Sequence, residues 1–241
     1  MSKSIKLWST CVLFILSFAG CNKESLQDLN QSNEYCETEQ NKEAARIVSR
    51  PFKMNSDTWY RISPTTPAAV PGLPGQLSFA NVPGGGSGNA THMGRIAVWF
   101  NQLAFSPDGL NPPAGTVSAP VSEAINYPVL FPGAPLPLIQ PNDFTALVEA
   151  NAWLHLPASV NGHIVNAVIH NEKGDAVFLA PTTSSVATIV SAQRINFSGD
   201  GIFAGGRGKL SSATGTYRFS GFFDPQNPNE AGYEIDGTII Y

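Results

Sequence analysis

Alternating hydrophobic and polar positions dominate the chain from residue 52 onward. Near its end, Ile235, Gly237 and Ile239 would face one side of a strand while Glu234 and Asp236 face the other. This period of two is typical of a half-buried β-strand. Clusters of Gly, Pro, Asn and Asp divide the chain into short runs of this kind. The pattern predicts strands at residues 58–63, 76–80, 94–105, 145–156, 163–170, 176–180, 187–197, 199–203, 215–223 and 233–241.

Short strands joined by tight turns indicate an all-β, antiparallel fold. The sequence Asn-Glu-Lys-Gly at residues 171–174 predicts a hairpin between two of the runs, and no long amphipathic helical pattern follows residue 60. A barrel and a sandwich would both accommodate such strands. Only 13% of the residues are charged, which leaves few charges to protect exposed sheet edges. A closed barrel is therefore the expected architecture.

Two proline-rich segments, residues 64–83 and 107–141, interrupt the pattern. Proline lacks the N–H donor that a strand ladder needs, so we predict that neither segment contains a central strand. The second segment is also apolar, with Phe131 among its hydrophobic residues. A solvated linker would be more polar. We predict an ordered insertion at about residues 106–142 that packs either over one mouth of the barrel or across a sheet edge.

The first residues form a targeting segment. Two lysines precede an apolar run, residues 7–18, which is too short to span a bilayer as a helix. The small residues before Cys21 complete a pattern that resembles the lipobox of bacterial lipoprotein signal peptides. That resemblance implies removal of residues 1–20 and lipidation of Cys21, which would anchor the protein to a membrane. An ordinary secretory signal with an incidental cysteine is the alternative.

Residues 21–50 are polar and contain no Gly or Pro. They predict a flexible tether between the anchor and a domain at residues 51–241. Cys36 would be the remaining thiol, so the domain is expected to depend on its core and not on a disulfide. Asn22 follows Cys21, which does not suggest the Asp-type signal for retention in the inner membrane. We therefore expect a lipid-anchored protein of the bacterial cell envelope, on the outer membrane.

Composition excludes several other classes of protein. The formal net charge is −4, which argues against a nucleic-acid partner. The 22 glycines and 19 prolines follow no collagen period, and Glu and Lys are too few for a coiled coil.

Two glycine-containing motifs stand out, at residues 88–95 (GNATHMGR) and 205–215 (GGRGKLSSATG). They resemble the G-x-x-T-H-[LM]-G-[KR] and G-G-x-G-[KR]…A-T-G signatures of exported bacterial proteins with allene oxide cyclase-like or dirigent-like β-barrel domains. Residues 171–175 lie between them, like the hairpin of that group. Leu210 stands where the signature has Phe, and a pair of serines follows where a glycine is usual. The resemblance implies about eight strands around a mostly apolar interior, and it transfers no catalytic residue.

Catalytic and cofactor patterns are weak. Lys209 is followed by Leu210 and a strand, whereas a nucleotide-binding loop needs Ser or Thr and then a helix. The four histidines lack the spacing of metal ligands, and there is no Gly-x-Ser-x-Gly sequence. Glu234 and Asp236 share a strand face, which would suit acid–base chemistry, cation binding or simply a solvated surface. We predict no cofactor and no metal.

Three residues are weak candidates for ligand binding. His92 follows a glycine-rich loop, and its alternative role is structural, with the imidazole satisfying backbone groups of a turn. Trp99 and Phe131 could line a cavity or fill the core. We therefore expect a non-catalytic binding or interaction module that holds a small apolar ligand or contacts another envelope component. An allene oxide cyclase-like isomerase or cyclase, and a purely structural envelope lipoprotein, are the alternatives.

Overall fold

The computed structural model describes residues 48–64, 69–70, 73–106, 114–126, 129–130, 139–140 and 155–241. Within these ranges the chain is almost entirely β, with two short 3-10 helices at Val121–Asn126 and Gly208–Leu210. None of the described residues forms a helix long and apolar enough to cross a membrane. Residues 21–47 of the predicted tether and residues 145–154 of the strand predicted at 145–156 lie outside the described ranges. Residues 155–156 form no strand, and the last two residues predicted for the tether, Ser49 and Arg50, belong to a strand.

The strands of the described residues, in chain order, are β1 (Ser49–Tyr60), β2 (Ser63–Pro64), β3 (Ala69–Val70), β4 (Leu73–Ala90), β5 (Gly94–Ser106), β6 (Gly115–Ser118), β7 (Val129–Leu130), β8 (Ile139–Gln140), β9 (Ser159–Val160), β10 (His163–Ile164), β11 (Ala167–His170), β12 (Ala176–Pro181), β13 (Ser185–Ser191), β14 (Arg194–Arg207), β15 (Thr214–Asp224) and β16 (Asn227–Ile240).

Eight of these strands hydrogen-bond into a closed ring. Its order is β1, β4, β5, β11, β12, β14, β15, β16 and back to β1, and every neighbouring pair is antiparallel. The ring closes where Ser49 of β1 lies opposite Ile240 of β16. The prediction of an antiparallel all-β fold with about eight strands is confirmed.

Two positions of the ring are each filled by two short strands in succession. β11 pairs with residues 97–100 of β5, and β6 pairs with residues 102–105 of the same strand. Likewise β12 and then β13 pair with successive parts of β14. One end of the ring carries the turn at residues 91–93 and is named the closed end. The other carries the β13–β14 and β15–β16 turns and is named the open end.

β1 begins nine residues earlier than the sequence pattern predicts. Its inward positions hold Phe52 and Met54, then Ser56 and Thr58, and finally Tyr60, and all five are buried. The two inward polar residues hide the alternation that would have revealed the strand. The predicted strand at residues 187–197 is also wrong, because a turn at residues 192–193 separates β13 from β14.

The prediction that both proline-rich segments lack a central strand is wrong. β4 contains Pro83, whose carbonyl accepts a hydrogen bond from Arg61 N at 2.8 Å, and Arg61 is the first residue after β1. The missing proline donor therefore falls where the ladder with β1 ends. β6 lies inside the predicted insertion, between β5 and β13. The stretch between Pro113 and Pro120 is free of proline, so it can complete both ladders.

Two hydrophobic cores stabilise the ring. The inner core fills the closed half of the interior with Phe52, Met54, Ala90, Met93, Ile96, Val98, Ala167, Ile169, Val177, Leu179, Phe203, Leu210, Ala213, Tyr217, Phe219, Tyr233, Ile235 and Ile239. The outer core covers the outside of β5, β11 and β12 with Trp99, Val121, Ala124, Val165, Val168, Ala176 and Phe178. Because these strands are covered on both faces, they read as continuous apolar runs.

Candidate functional site

A cavity of about 130 Å³ lies inside the ring at its open end. Its walls come from β1, β4, β5, β6, β13, β14, β15 and β16. The described lining residues are Thr58, Tyr60, Ile62, Ala80, Val82, Phe100, Gln102, Ala104, Thr116, Ser185, Ala187, Ile195, Phe197, Phe223, Pro225, Ala231 and Tyr233. This site is mostly aliphatic and aromatic, as ligand cavities commonly are.

Small side chains create the cavity. The inward positions of the open half include Ala80, Ala104 and Ala187, whereas the closed half places Phe52 and Phe203 inward. The rings of Phe52 and Phe203 meet edge to face with centroids 5.1 Å apart. Side chains of that size fill the interior of an eight-strand ring, and alanines in their place leave a space.

One polar cluster interrupts the apolar wall. Thr116 Oγ1 donates a hydrogen bond to Gln102 Oε1 at 2.6 Å and lies 2.7 Å from Ser185 Oγ. Thr116 N donates to Ser185 Oγ at 3.2 Å. The three side chains come from neighbouring strands β5, β6 and β13. They therefore form a single hydrogen-bonded group on one side of the cavity.

Both tyrosines that line the cavity, Tyr60 and Tyr233, carry neutral hydroxyl groups. Tyr60 Oη donates to the carbonyl oxygen of Asp224 at 2.7 Å, and burial together with the nearby Asp224 carboxylate raises the pKa of Tyr60. Burial likewise raises the pKa of Tyr233. Every other described lining residue is uncharged at neutral pH by its chemistry. The described wall therefore carries no formal charge.

The sequence-predicted candidates lie elsewhere. His92 is exposed in the turn between β4 and β5 at the closed end, with a positive φ of 67°, and its Nε2 lies 3.0 Å from Pro51 O. Trp99 points away from the interior into the outer core, where its ring meets His170 edge to face at 5.0 Å. Neither residue lines the cavity. Cys21 and Phe131 lie outside the described residues.

The three sequence motifs meet at the closed end as turn structures. Thr91 N donates to Lys53 O at 2.9 Å, and Lys53 N donates to Thr91 Oγ1 at 2.8 Å. Asn171 Nδ2 donates to Met93 O at 3.2 Å, and Lys209 N donates to Asp175 Oδ1 at 3.0 Å. These contacts join the turns to one another and to β1. The structural role anticipated for His92 fits this arrangement.

Other chemistry-bearing groups are dispersed. Glu234 and Asp236 lie on the exposed face of β16, where Asp236 pairs with Lys53 at 3.3 Å. Within the described parts of the chain, His, Cys, Asp and Glu side chains form no group of three that could hold a metal ion. Burial lowers the pKa of His170 beside Trp99, on the outside of the ring.

Comparison of the chain with protein-family models, with curated proteins and with solved structures finds no match. The assignment of a functional site therefore rests on the geometry of the cavity.

Sequence reasoning missed the polar cluster, although one signal was present. Gln102 is the polar member of an inward face that otherwise reads Ile96, Val98, Phe100 and Ala104. A polar residue at such a position is buried only with a partner, which marks it as a candidate. The partners were hidden, since Thr116 lies in the proline-rich segment and Ser185 precedes its predicted strand.

Proposed function

We propose that the ring holds a small, mostly apolar ligand in the cavity at its open end. On this proposal the protein is a non-catalytic binding module that a lipid on Cys21 anchors in the bacterial envelope, on the outer membrane. The observation that carries the proposal is a mostly apolar cavity with a hydrogen-bonded cluster of three polar side chains in its wall, which is a common design of a small-molecule site.

The size of the cavity limits the ligand. An apolar protein cavity of roughly 150 Å³ takes up benzene, and the volume here is about 130 Å³. Drug-sized ligands occupy roughly 300 Å³ or more. The expected ligand is therefore a compact molecule close to benzene in size, and an extended acyl chain does not fit the described cavity.

Benzene is the first probe for this site. Its addition to the purified full-length protein should raise the melting temperature in a concentration-dependent way, because a ligand that binds only the folded state stabilises it. Ala104→Leu places a larger side chain in the wall and should abolish that rise, while Ala192→Leu on the exposed β13–β14 turn should preserve it.

Absence of any benzene-induced shift in the wild-type protein would contradict the binding proposal and favour the structural lipoprotein.

The anchor has a separate test. Cells that express the protein and are fed a radioactive fatty acid should label the wild type but not Cys21→Ser, because the thioether forms on that sulfur. A labelled Cys21→Ser variant that still fractionates with membranes would show that the lipobox assignment is wrong.

A further inference from the structure

We infer that the cavity selects neutral ligands with one hydrogen-bond acceptor, such as a ketone or an aldehyde, and that the Gln102 amide nitrogen recognises that acceptor. This inference rests on the proposed function, because it specifies the ligand class of the same cavity.

The directions of the hydrogen bonds in the polar cluster leave one donor group that is not used within the cluster. Gln102 Oε1 accepts the Thr116 hydroxyl proton, so Thr116 Oγ1 has only lone pairs left for Ser185. The Ser185 hydroxyl must then donate to Thr116 Oγ1, while Ser185 Oγ accepts from Thr116 N. Both hydroxyl protons are therefore used within the cluster.

The Gln102 amide group retains its donors. Gln102 Nε2 carries two N–H groups, and no hydrogen bond joins that nitrogen to any residue of the described chain. The side chain is half-buried and lines the cavity. Its Oε1 accepts from Thr116 in the structure, so the Nε2 end of the amide is the one left to donate. The cluster therefore offers a donor to whatever occupies the cavity.

Charge in the domain argues against an anionic ligand. The described cavity wall contains no Lys, Arg or His. Arg61 follows the lining residue Tyr60, but its Nη1 donates to Tyr60 O at 2.7 Å and to Asn229 Oδ1 at 3.1 Å.

A carboxylate in this cavity would lose its hydration without gaining a cationic partner, which is strongly unfavourable. A neutral carbonyl oxygen needs only a hydrogen-bond donor, and Gln102 supplies one. The Gln102 donor and the absence of a cationic side chain from the described cavity wall together favour a neutral ligand with a hydrogen-bond acceptor.

Two probes of nearly equal shape test the donor. Cyclohexanone and methylenecyclohexane differ in having an oxygen or a CH₂ group on the same ring. The two compounds differ in how strongly water solvates them, but that difference is the same for every protein variant. It therefore cancels when the ketone-to-alkene affinity ratio of a variant is divided by the ratio of the wild type. In Gln102→Met, we expect the ratio of ketone to alkene affinity to fall roughly two- to tenfold from the wild-type value, as the loss of one net hydrogen bond predicts.

Gln193→Met is the matched control. It makes the same chemical change on the exposed β13–β14 turn, where Gln193 Nε2 donates to Gln226 Oε1 at 3.3 Å. It should leave the affinity ratio unchanged. Binding is measured by titration calorimetry on the full-length protein at neutral pH, with melting temperatures recorded to confirm that each variant folds.

The outcomes separate this inference from the proposed function. If neither ring compound binds the wild type, the proposed function itself fails. If both bind but Gln102→Met leaves the ratio unchanged, the donor assignment is overturned while the cavity remains a binding site. If cyclohexanecarboxylate binds the wild type more tightly than cyclohexanone, the selection for neutral ligands is overturned.

Discussion

The closed and open halves of the ring share six strands but differ in their interiors. In the closed half, large inward side chains such as Phe203 and Tyr217 pack with ring centroids 5.2 Å apart. In the open half, alanines at equivalent inward positions leave about 130 Å³ unfilled. β11 and β12 complete the closed half, whereas β6 and β13 take their positions in the open half. The volume of the inward side chains therefore separates the half that is filled from the half that can hold a ligand.

The largest expected difference is in the cost of removing an aromatic ring. Phe203→Ala, in the closed half, should lower the free energy of unfolding by roughly 3–5 kcal/mol, because the buried ring leaves a void among tightly packed neighbours. Phe223→Ala should cost less than half as much, since that ring already borders the cavity and has fewer contacts to lose. Denaturant melts of both variants check this. Equal losses would show that the open half is as tightly packed as the closed half.

Two glycines at the closed end give a smaller but cleaner contrast. Gly215 has φ of +124° and a Cβ there would meet the carbonyl oxygen of Thr238, whereas Gly94 has φ of +73° with open space around it. Gly94→Ala should cost about 1 kcal/mol from backbone strain alone. Gly215→Ala should cost roughly 2–3 kcal/mol, because the β15–β16 pair must also shift. If thermal denaturation shows equal costs, the close approach of these two strands does not constrain the fold.

The smallest effect concerns acid stability of the closed end. Donation by Lys209 N, and then by Asn171 Nδ2, lowers the pKa of Asp175. Its stabilising contribution is therefore complete above the unfolded-state pKa of about 3.9 and is lost as the pH falls through the lower folded value. In Asp175→Asn, the loss of unfolding free energy at acid pH should be smaller than in the wild type by about 1 kcal/mol.

Unfolding free energies at pH 3 and pH 6 measure that difference, with Asp236→Asn on the exposed face as the surface control. If Asp175→Asn loses as much unfolding free energy between pH 6 and pH 3 as the wild type does, the Asp175 carboxylate does not stabilise the contacts between these turns.

Strands with regular alternation were predictable from the sequence. The predicted strand at residues 94–105 matches β5 within one residue, and residues 215–223 match β15 equally well. The hairpin at residues 171–174 was also predicted, and it joins β11 to β12. β15 alternates because one of its faces meets the interior and the other is exposed. β5, β11 and β12 are covered on both faces and were recognised as apolar runs bounded by turn residues.

The cavity could not be predicted, because it depends on contacts between segments far apart in the sequence. Thr116 and Gln102 come from adjacent strands, but the prolines around β6 concealed that strand. For Trp99 the sequence left two roles open, lining a cavity or filling a core. A side chain on a barrel strand can point either into the barrel or away from it. Only the packing of Trp99 in the outer core shows that this side chain points outward.

The pairing of β1 with β16 has a kinetic consequence. The earliest and the latest of the described ring strands are neighbours, and ten residue pairs join them. Contacts between such distant parts of a chain are slow to form, since loop closure must come before they stabilise anything. The β14–β15–β16 meander can form locally, but β1 has no complete set of partners until it meets both β4 and β16. The search for that last pair should limit the folding rate, and the half-formed sheet would expose its unpaired edges until the search ends.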